Sequence, residues 1–353
     1  METIEYYKLQ RALGKRLNYN RLLAISSETN IPLAPPIRAS LWVTSRCNSD
    51  CAYCSFRMSL SKSRLDLSLE KIQKTIRDLA DLGVKLLFIS GGEPLLHKDI
   101  KQICNYAASL GLIVQLATNG LLLTHDIAQE LSDVGVRNLI MSLDSLEEEV
   151  YLACRGVRNH RIIETLDILS FFSDQKPENA SAVTFVVSQK NYRDLPSFIR
   201  FINDYSAGKI RINIQPCHYS QYTKGHDLIP APKDEAIWIE TMEQVVALKQ
   251  EGGYCINVSE EYLRHIPAFV FHNKKMSAPC LTGFSGIYIR NNLDVVPCWK
   301  YPPVGNLGKD NLLDLWLSNR YAKAREQMFQ KKCGNCMLMC HNSLGSWAND
   351  LFK

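Results

Sequence analysis

Between residues 38 and 217, short apolar runs alternate with amphipathic segments, and no other property of the 353-residue chain narrows its fold as much. The runs span 39–44, 84–89, 112–117, 136–142, 182–187 and 209–215. They read as parallel strands covered on both faces. The clearest helix between them spans 69–82, with Leu69, Ile72, Ile76, Leu79 and Leu82 on one stripe. Ser68 is placed to cap its start, and Gly83 follows its end. Similar helices precede Gly111 and Gly135. Six strands with crossover helices predict an α/β chain whose parallel sheet curves into an open barrel. Ligands are expected at the C-terminal strand ends.

The flanks read differently. Residues 1–37 look helical and then loop-like, closed by Pro32, Pro35 and Pro36. The alternation stops near Cys217, where a polar loop and a helix near 234–250 follow. Residues 218–278 are read as a substrate-shaping helical and loop region. They carry His218, Tyr219, Tyr222, His226, Trp238, Tyr254 and His265, in no spacing that names a substrate. Segments 286–290 and 293–298 flank Asn291-Asn292 and predict a hairpin. A helix near 312–328 leads to a cysteine cluster, so 279–353 reads as a fourth unit. The net charge of +5 is too mild to argue for nucleic acid or an acidic membrane. No run reaches the roughly 18 apolar residues of a membrane helix, and the start lacks an apolar signal core. A cytoplasmic location is expected. Twelve cysteines in such a reducing compartment point to metal ligation where their spacing is tight.

The first strand ends in Cys47-Asn48-Ser49-Asp50-Cys51-Ala52-Tyr53-Cys54. Three thiolates on one loop can hold three irons of a cubane and leave the fourth iron for a substrate group. Structural zinc takes four protein ligands and usually CxxC pairs. The second strand runs into Ser90-Gly91-Gly92-Glu93-Pro94. Glycines there let backbone approach closely, and a carboxylate can pair with an ammonium.

Together these two motifs resemble the radical S-adenosylmethionine (SAM) superfamily. The resemblance covers about 38–217 and implies a partial (β/α)6 TIM-like barrel. Cys47, Cys51 and Cys54 would ligate a [4Fe–4S] cluster, and Gly91, Gly92 and Glu93 would meet the SAM ammonium group. Tyr53 would lie next to the adenine. Asn119, Ser142 and Asp144, at the tips of strands three and four, would lie near SAM or substrate. Arg155 would hold the SAM carboxylate. Loop capping or a surface ion pair is the plain alternative for each. The chemistry implied is reductive cleavage of SAM to methionine and a 5′-deoxyadenosyl radical, which takes a hydrogen from the substrate.

Cys280, Cys298, Cys333, Cys336 and Cys340 resemble the small SPASM/twitch extension of the same superfamily, which binds auxiliary [4Fe–4S] clusters. The full SPASM pattern has seven cysteines and two clusters, and five thiolates cannot fully ligate two. One auxiliary cluster is expected, on Cys280, Cys298, Cys333 and Cys336, with Cys340 as the alternative ligand. A zinc site on Cys333, Cys336, Cys340 and His341 is the rival, and it leaves Cys280 and Cys298 idle. Cys104, Cys154 and Cys255 are read as buried thiols. Cys217 is either packed or a hydrogen donor to a substrate radical.

The resemblance implies oxidation, crosslinking or epimerisation of a peptide or small molecule in natural-product biosynthesis. It also implies an external one-electron donor such as flavodoxin or ferredoxin. Peptide-modifying members often carry an N-terminal clamp domain of roughly 80 residues, long enough to fold alone. Here about 37 residues precede the first strand, which weakens the peptide reading without removing it, because a separate protein could supply the clamp. RNA modification and non-catalytic electron transfer are the alternatives. Lys274-Lys275 and Lys331-Lys332 are too short to mark an RNA surface. Glu93 and an open iron argue against a mere carrier.

Overall fold

The computed structural model describes residues 6, 9, 12–13, 17–54, 66–218, 228–298, 300–333 and 336–338. Tyr219, Tyr222, His226, Cys340 and His341 lie outside the described residues.

Helix α1 (Tyr19–Thr29) precedes β1 (Arg38–Thr44). The alternation then runs α2 (Leu69–Asp81), β2 (Leu86–Gly91), α3 (Ile100–Ser109), β3 (Ile113–Thr118), α4 (His125–Asp133) and β4 (Val136–Ser142). It continues through α5 (Glu148–Arg155), α6 (Ile162–Gln175), β5 (Ala180–Val187), α7 (Leu195–Ser206) and β6 (Ile210–Pro216). All six strands pair in parallel and in chain order. That order follows from right-handed crossovers, which lay each strand beside the last and curve the sheet. The sheet stays open, with β6 at one edge.

The expectation of strands covered on both faces holds for β1 and β5, whose burial is nearly continuous, and fails for β2 and β3. In β2 and β3 burial alternates: Leu87, Ile89, Val114 and Leu116 are fully buried, while Phe88, Ser90, Gln115 and Ala117 are half-buried. The buried set packs on helix residues such as Ile72, Ile76, Ile103 and Ala107. The other face points to the inside of the open barrel and is half-buried. Helix α2 matches its predicted stripe, but the Ser68 side chain makes no capping hydrogen bond.

Beyond the barrel lie α8 (Glu235–Glu251) and α9 (Glu260–His272), the second of which sequence patterning had not singled out. A helical turn, α10 (Thr282–Ser285), leads into β7 (Gly286–Ile289), β8 (Asp294–Val296) and β9 (Gly305–Asn306). The expected hairpin forms between β7 and β8. Its place in the sheet was not foreseen: β7 pairs in parallel with β1, from Arg38 opposite Gly286 to Leu41 opposite Ile289. One nine-stranded sheet therefore carries both cysteine-bearing regions.

The single helix expected near 312–328 is two, α11 (Leu312–Leu317) and α12 (Asn319–Phe329). Ser318 leaves helical geometry at ψ 153°, and its side chain caps the second helix by accepting from the Tyr321 N–H. Arg325 sits in the resulting corner, 1% exposed. Its guanidinium lies 4.1 Å from the Trp316 ring centroid and 4.4 Å from that of Tyr321. Aromatic faces and the carbonyls of Gly283 and Trp316 replace water around this cation. Helix α1 packs on the same region: Leu22, Leu23 and Ile37 share a cluster with Phe284.

Candidate active site

Cys47, Cys51 and Cys54 follow β1 on a loop that the rest of the barrel holds by its backbone. The Asp50 N–H donates to the Arg155 carbonyl at 3.1 Å, and the Ala52 N–H to that of Cys154 at 2.9 Å. Gly156, at φ +67°, ends α5 beneath this loop, and a Cβ there would strike the Asp50 carbonyl. The cysteine loop and the end of α5 are thus packed backbone to backbone.

The Gly91-Gly92 pair has a similar reason. A Cβ on Gly91 would collide with the Thr44 carbonyl, and one on Gly92 with that of Arg46. Gly92 and Glu93 donate their N–H groups to those carbonyls at 2.9 and 2.7 Å. The expected close approach is therefore made first by the chain itself, where β2 meets the start of the cysteine loop.

Glu93 is 1% exposed and accepts from the Leu95 N–H at 3.1 Å, the Thr118 hydroxyl at 2.9 Å and the Asn119 N–H at 2.7 Å. Burial pushes its carboxyl up to about 7, and the three donors only partly oppose this. A carboxylate has about four acceptor sites, so one remains for a further donor. The folded chain holds this proton above pH 4.5, where an unfolded glutamate loses it. Stability is therefore full below that value and falls as pH rises through about 7, by roughly 3 kcal/mol at most. Urea midpoints of the metal-free protein at pH 5 and 8 should show the fall, and Glu93→Gln should flatten it. An equal slope in the variant would assign the effect elsewhere.

Asn119 ties strand three to the cysteine loop: its side-chain amide donates to the Asn48 amide oxygen at 2.6 Å and the Ser49 hydroxyl at 3.0 Å. Ser142 ends β4 half-buried, in register with Thr184. Asp144 is fully buried. It accepts from the Val186 N–H at 2.8 Å and from the Tyr53 hydroxyl, and pairs with Arg155 Nε at 2.7 Å. Arg155, 5% exposed, lies over the Tyr53 ring at 5.6 Å and reaches Cys51 Sγ at 3.8 Å. Burial raises the Cys51 thiol to about 11, and Arg155 opposes the rise. Tyr53, Asp144 and Arg155 are thus one buried network against the cysteine loop.

Cys217 is fully buried after β6, and burial pushes its thiol up to about 12. Cys104 and Cys154 are buried as expected, but Cys255 is exposed, its thiol donating to the Gly208 carbonyl at 3.3 Å. That segment lies against the β6 edge, where the Cys255 carbonyl accepts from the Ile212 N–H.

In the C-terminal region, Cys333 is within electrostatic reach of Cys280, Lys275 and Lys300. Lys300 in turn reaches Cys217 and His218. The auxiliary region therefore faces the tip of β6. Cys47, Cys298 and Cys336 share one local geometry, in which Sγ accepts an N–H from two residues on. The donors are Ser49 at 3.4 Å, Lys300 at 3.4 Å and Leu338 at 3.3 Å. Such donors stabilise thiolate charge, so the donor sets fit iron–sulfur clusters. Among the described residues no three His, Cys, Asp or Glu side chains converge on a single ion. A cubane asks for no such convergence, since each thiolate takes its own iron.

Residues 43–202 match the radical SAM superfamily, and residues 280–337 match an iron–sulfur cluster-binding domain, SPASM. A PqqA peptide cyclase of Rhizobium meliloti is 34% identical over 314 residues, 86% of this chain and 80% of that protein. The chain belongs to the radical SAM superfamily. It is an enzyme of the SPASM-bearing kind, working with a [4Fe–4S] cluster, SAM and an auxiliary iron–sulfur cluster. A PqqA peptide cyclase of Bradyrhizobium diazoefficiens is 30% identical over 182 residues, 51% of this chain, which spans about half (47%) of that protein. An AdoMet-dependent heme synthase of Methanosarcina barkeri is 24% identical, covering 87% of this chain and 89% of that protein. Among solved structures, Streptococcus suis SuiB bound to its precursor peptide SuiA is similar in fold, with TM-score 0.67 and 18% identity over 94% of this chain and 76% of SuiB. Among the described residues no helix is long and apolar enough to cross a membrane.

Sequence reading missed Tyr262 and the role of His218, which hold the site from afar. Tyr262 and His218 meet Met337 across 75 and 119 residues. No spacing rule connects such positions.

Proposed function

We propose that this radical SAM enzyme oxidises or crosslinks a peptide in natural-product biosynthesis. The similarity to a PqqA peptide cyclase across 80% of that protein carries the reading. In this reading Cys47, Cys51 and Cys54 hold the first cluster. Cys280, Cys298, Cys333 and Cys336 hold the auxiliary one. The cluster and SAM, when bound, supply reductive cleavage of SAM and hydrogen abstraction from the substrate.

The chain's own residues do the rest. Arg155 sets positive charge beside the Cys51 sulfur, where it favours the thiolate. Asp144 compensates that buried guanidinium and fixes the Tyr53 ring, which leaves Tyr53 oriented for adenine. Glu93 offers its remaining acceptor site to the SAM ammonium. A cation there would favour the carboxylate form and offset the cost of burying it. Gly91, Gly92 and Asn119 fix the two strand tips that frame this pocket, with Ser142 on the neighbouring tip. The half-buried inner face of β2 and β3 is neutral, at Phe88, Ser90, Gln115 and Ala117, and suits an uncharged peptide segment. An external one-electron donor such as flavodoxin or ferredoxin, and a separate clamp protein, complete the system.

A small-molecule substrate is the second reading, favoured by the match to a heme synthase. Anaerobic incubation with SAM, reductant and short peptides encoded beside the gene separates the two. A peptide product lighter by two hydrogens, formed with 5′-deoxyadenosine, is expected. Turnover of a tetrapyrrole or sugar with no change in any peptide would overturn the first reading.

A further inference from the structure

His218 and Tyr262 come from different parts of the chain and converge on one residue. His218 follows β6, directly after Cys217, and Tyr262 lies in the first turn of α9. The Met337 N–H donates to His218 Nε2 at 3.0 Å, and the Tyr262 hydroxyl donates to the Met337 carbonyl. Both polar atoms of that backbone residue are thus held by side chains from outside the cluster-binding extension. Met337 and Tyr262 are fully buried and belong to the main core. The His218 ring also packs edge-on against Phe269 of α9, at 5.3 Å. Because Nε2 accepts, Nδ1 carries the ring hydrogen, and it faces the Pro216 carbonyl.

The neighbour of Met337 is Cys336, whose sulfur accepts from the Leu338 N–H at 3.3 Å. Fixing the Met337 peptide fixes that donor and the direction of the Cys336 side chain together. A thiolate must stand within tenths of an ångström of its iron, so backbone freedom here costs affinity directly.

We infer that His218 and Tyr262 are positioning residues for the auxiliary cluster, holding Cys336 in place through the Met337 backbone. The inference rests on the ligand assignment proposed above. It means that the cluster-binding extension is completed by the substrate-facing region rather than by its own cysteines alone. It also links the tip of β6, beside Cys217, to the residue next to an auxiliary ligand through the His218 hydrogen bond.

Iron content of the full-length, anaerobically reconstituted protein tests this without reference to turnover. The unsubstituted chain should hold about eight irons, as two cubanes. His218→Leu removes the acceptor and leaves a buried N–H unpaired. It should fall towards four, with the remaining cluster recognised by the change SAM makes in its EPR signal. His218→Gln keeps an acceptor and should restore much of the loss. Tyr262→Phe should lose auxiliary iron more mildly. Eight irons in both His218→Leu and Tyr262→Phe would overturn the inference, and so would a His218→Gln loss equal to that of His218→Leu. Only four irons in the unsubstituted chain would instead overturn the ligand assignment beneath it.

Discussion

Replacing Cys47, Cys51 and Cys54 together with Ala is expected to halve the iron of the reconstituted chain, from about eight to about four, and to abolish 5′-deoxyadenosine formation. The loss should be chemical rather than a failure to fold. The loop is anchored by backbone bonds from Asp50 and Ala52 to the end of α5, which need no thiol. Cys47 is exposed, and Cys51 and Cys54 are only partly buried, so removing their sulfurs opens little cavity. Replacing Cys280 and Cys298 instead should also leave about four irons. It should spare SAM cleavage at least in part while losing product. Iron analysis and chromatography of the SAM products check both. SAM cleavage persisting in the triple variant would place the first cluster elsewhere.

The largest loss of stability is expected from Asp144→Ala. Asp144 is fully buried, and so nearly is its partner Arg155, at 5% exposure. Taking away the carboxylate strands a guanidinium in the interior and leaves the Val186 N–H and Tyr53 hydroxyl without their acceptor. Breaking a buried pair from one side costs about 3–5 kcal/mol. That is a large part of the roughly 5–15 kcal/mol a domain has. Asp144→Asn should cost less, since an amide oxygen still accepts. Asp144→Asn with Arg155→Gln should recover part of the loss, because neither charge is then buried alone. Urea unfolding of the metal-free protein measures all three. A shift below about 1 kcal/mol in Asp144→Ala would mean that the network is not closed in solution.

Arg155 shows how a residue can be found in sequence without its surroundings. The resemblance to the radical SAM superfamily implied a contact with the SAM carboxylate. The structure puts it between Asp144, the Tyr53 ring and Cys51. Glu93 is a similar case. Its position after two glycines was legible, but its burial and three neutral donors were not.

The linear chain determined the order of the barrel strands and the two groups of cysteines, because periodicity and ligand spacing are local and survive without a fold. Even there the Ser318 break is missed, since a serine inside a helical pattern caps a new helix only where the backbone turns out of helical geometry. Tertiary structure alone decided that β7 lies on β1, that the auxiliary cysteines face the β6 tip, and that His218 and Tyr262 grip Met337. Those are contacts between positions far apart in sequence. They exist only once burial of the shared core has set the path of the backbone.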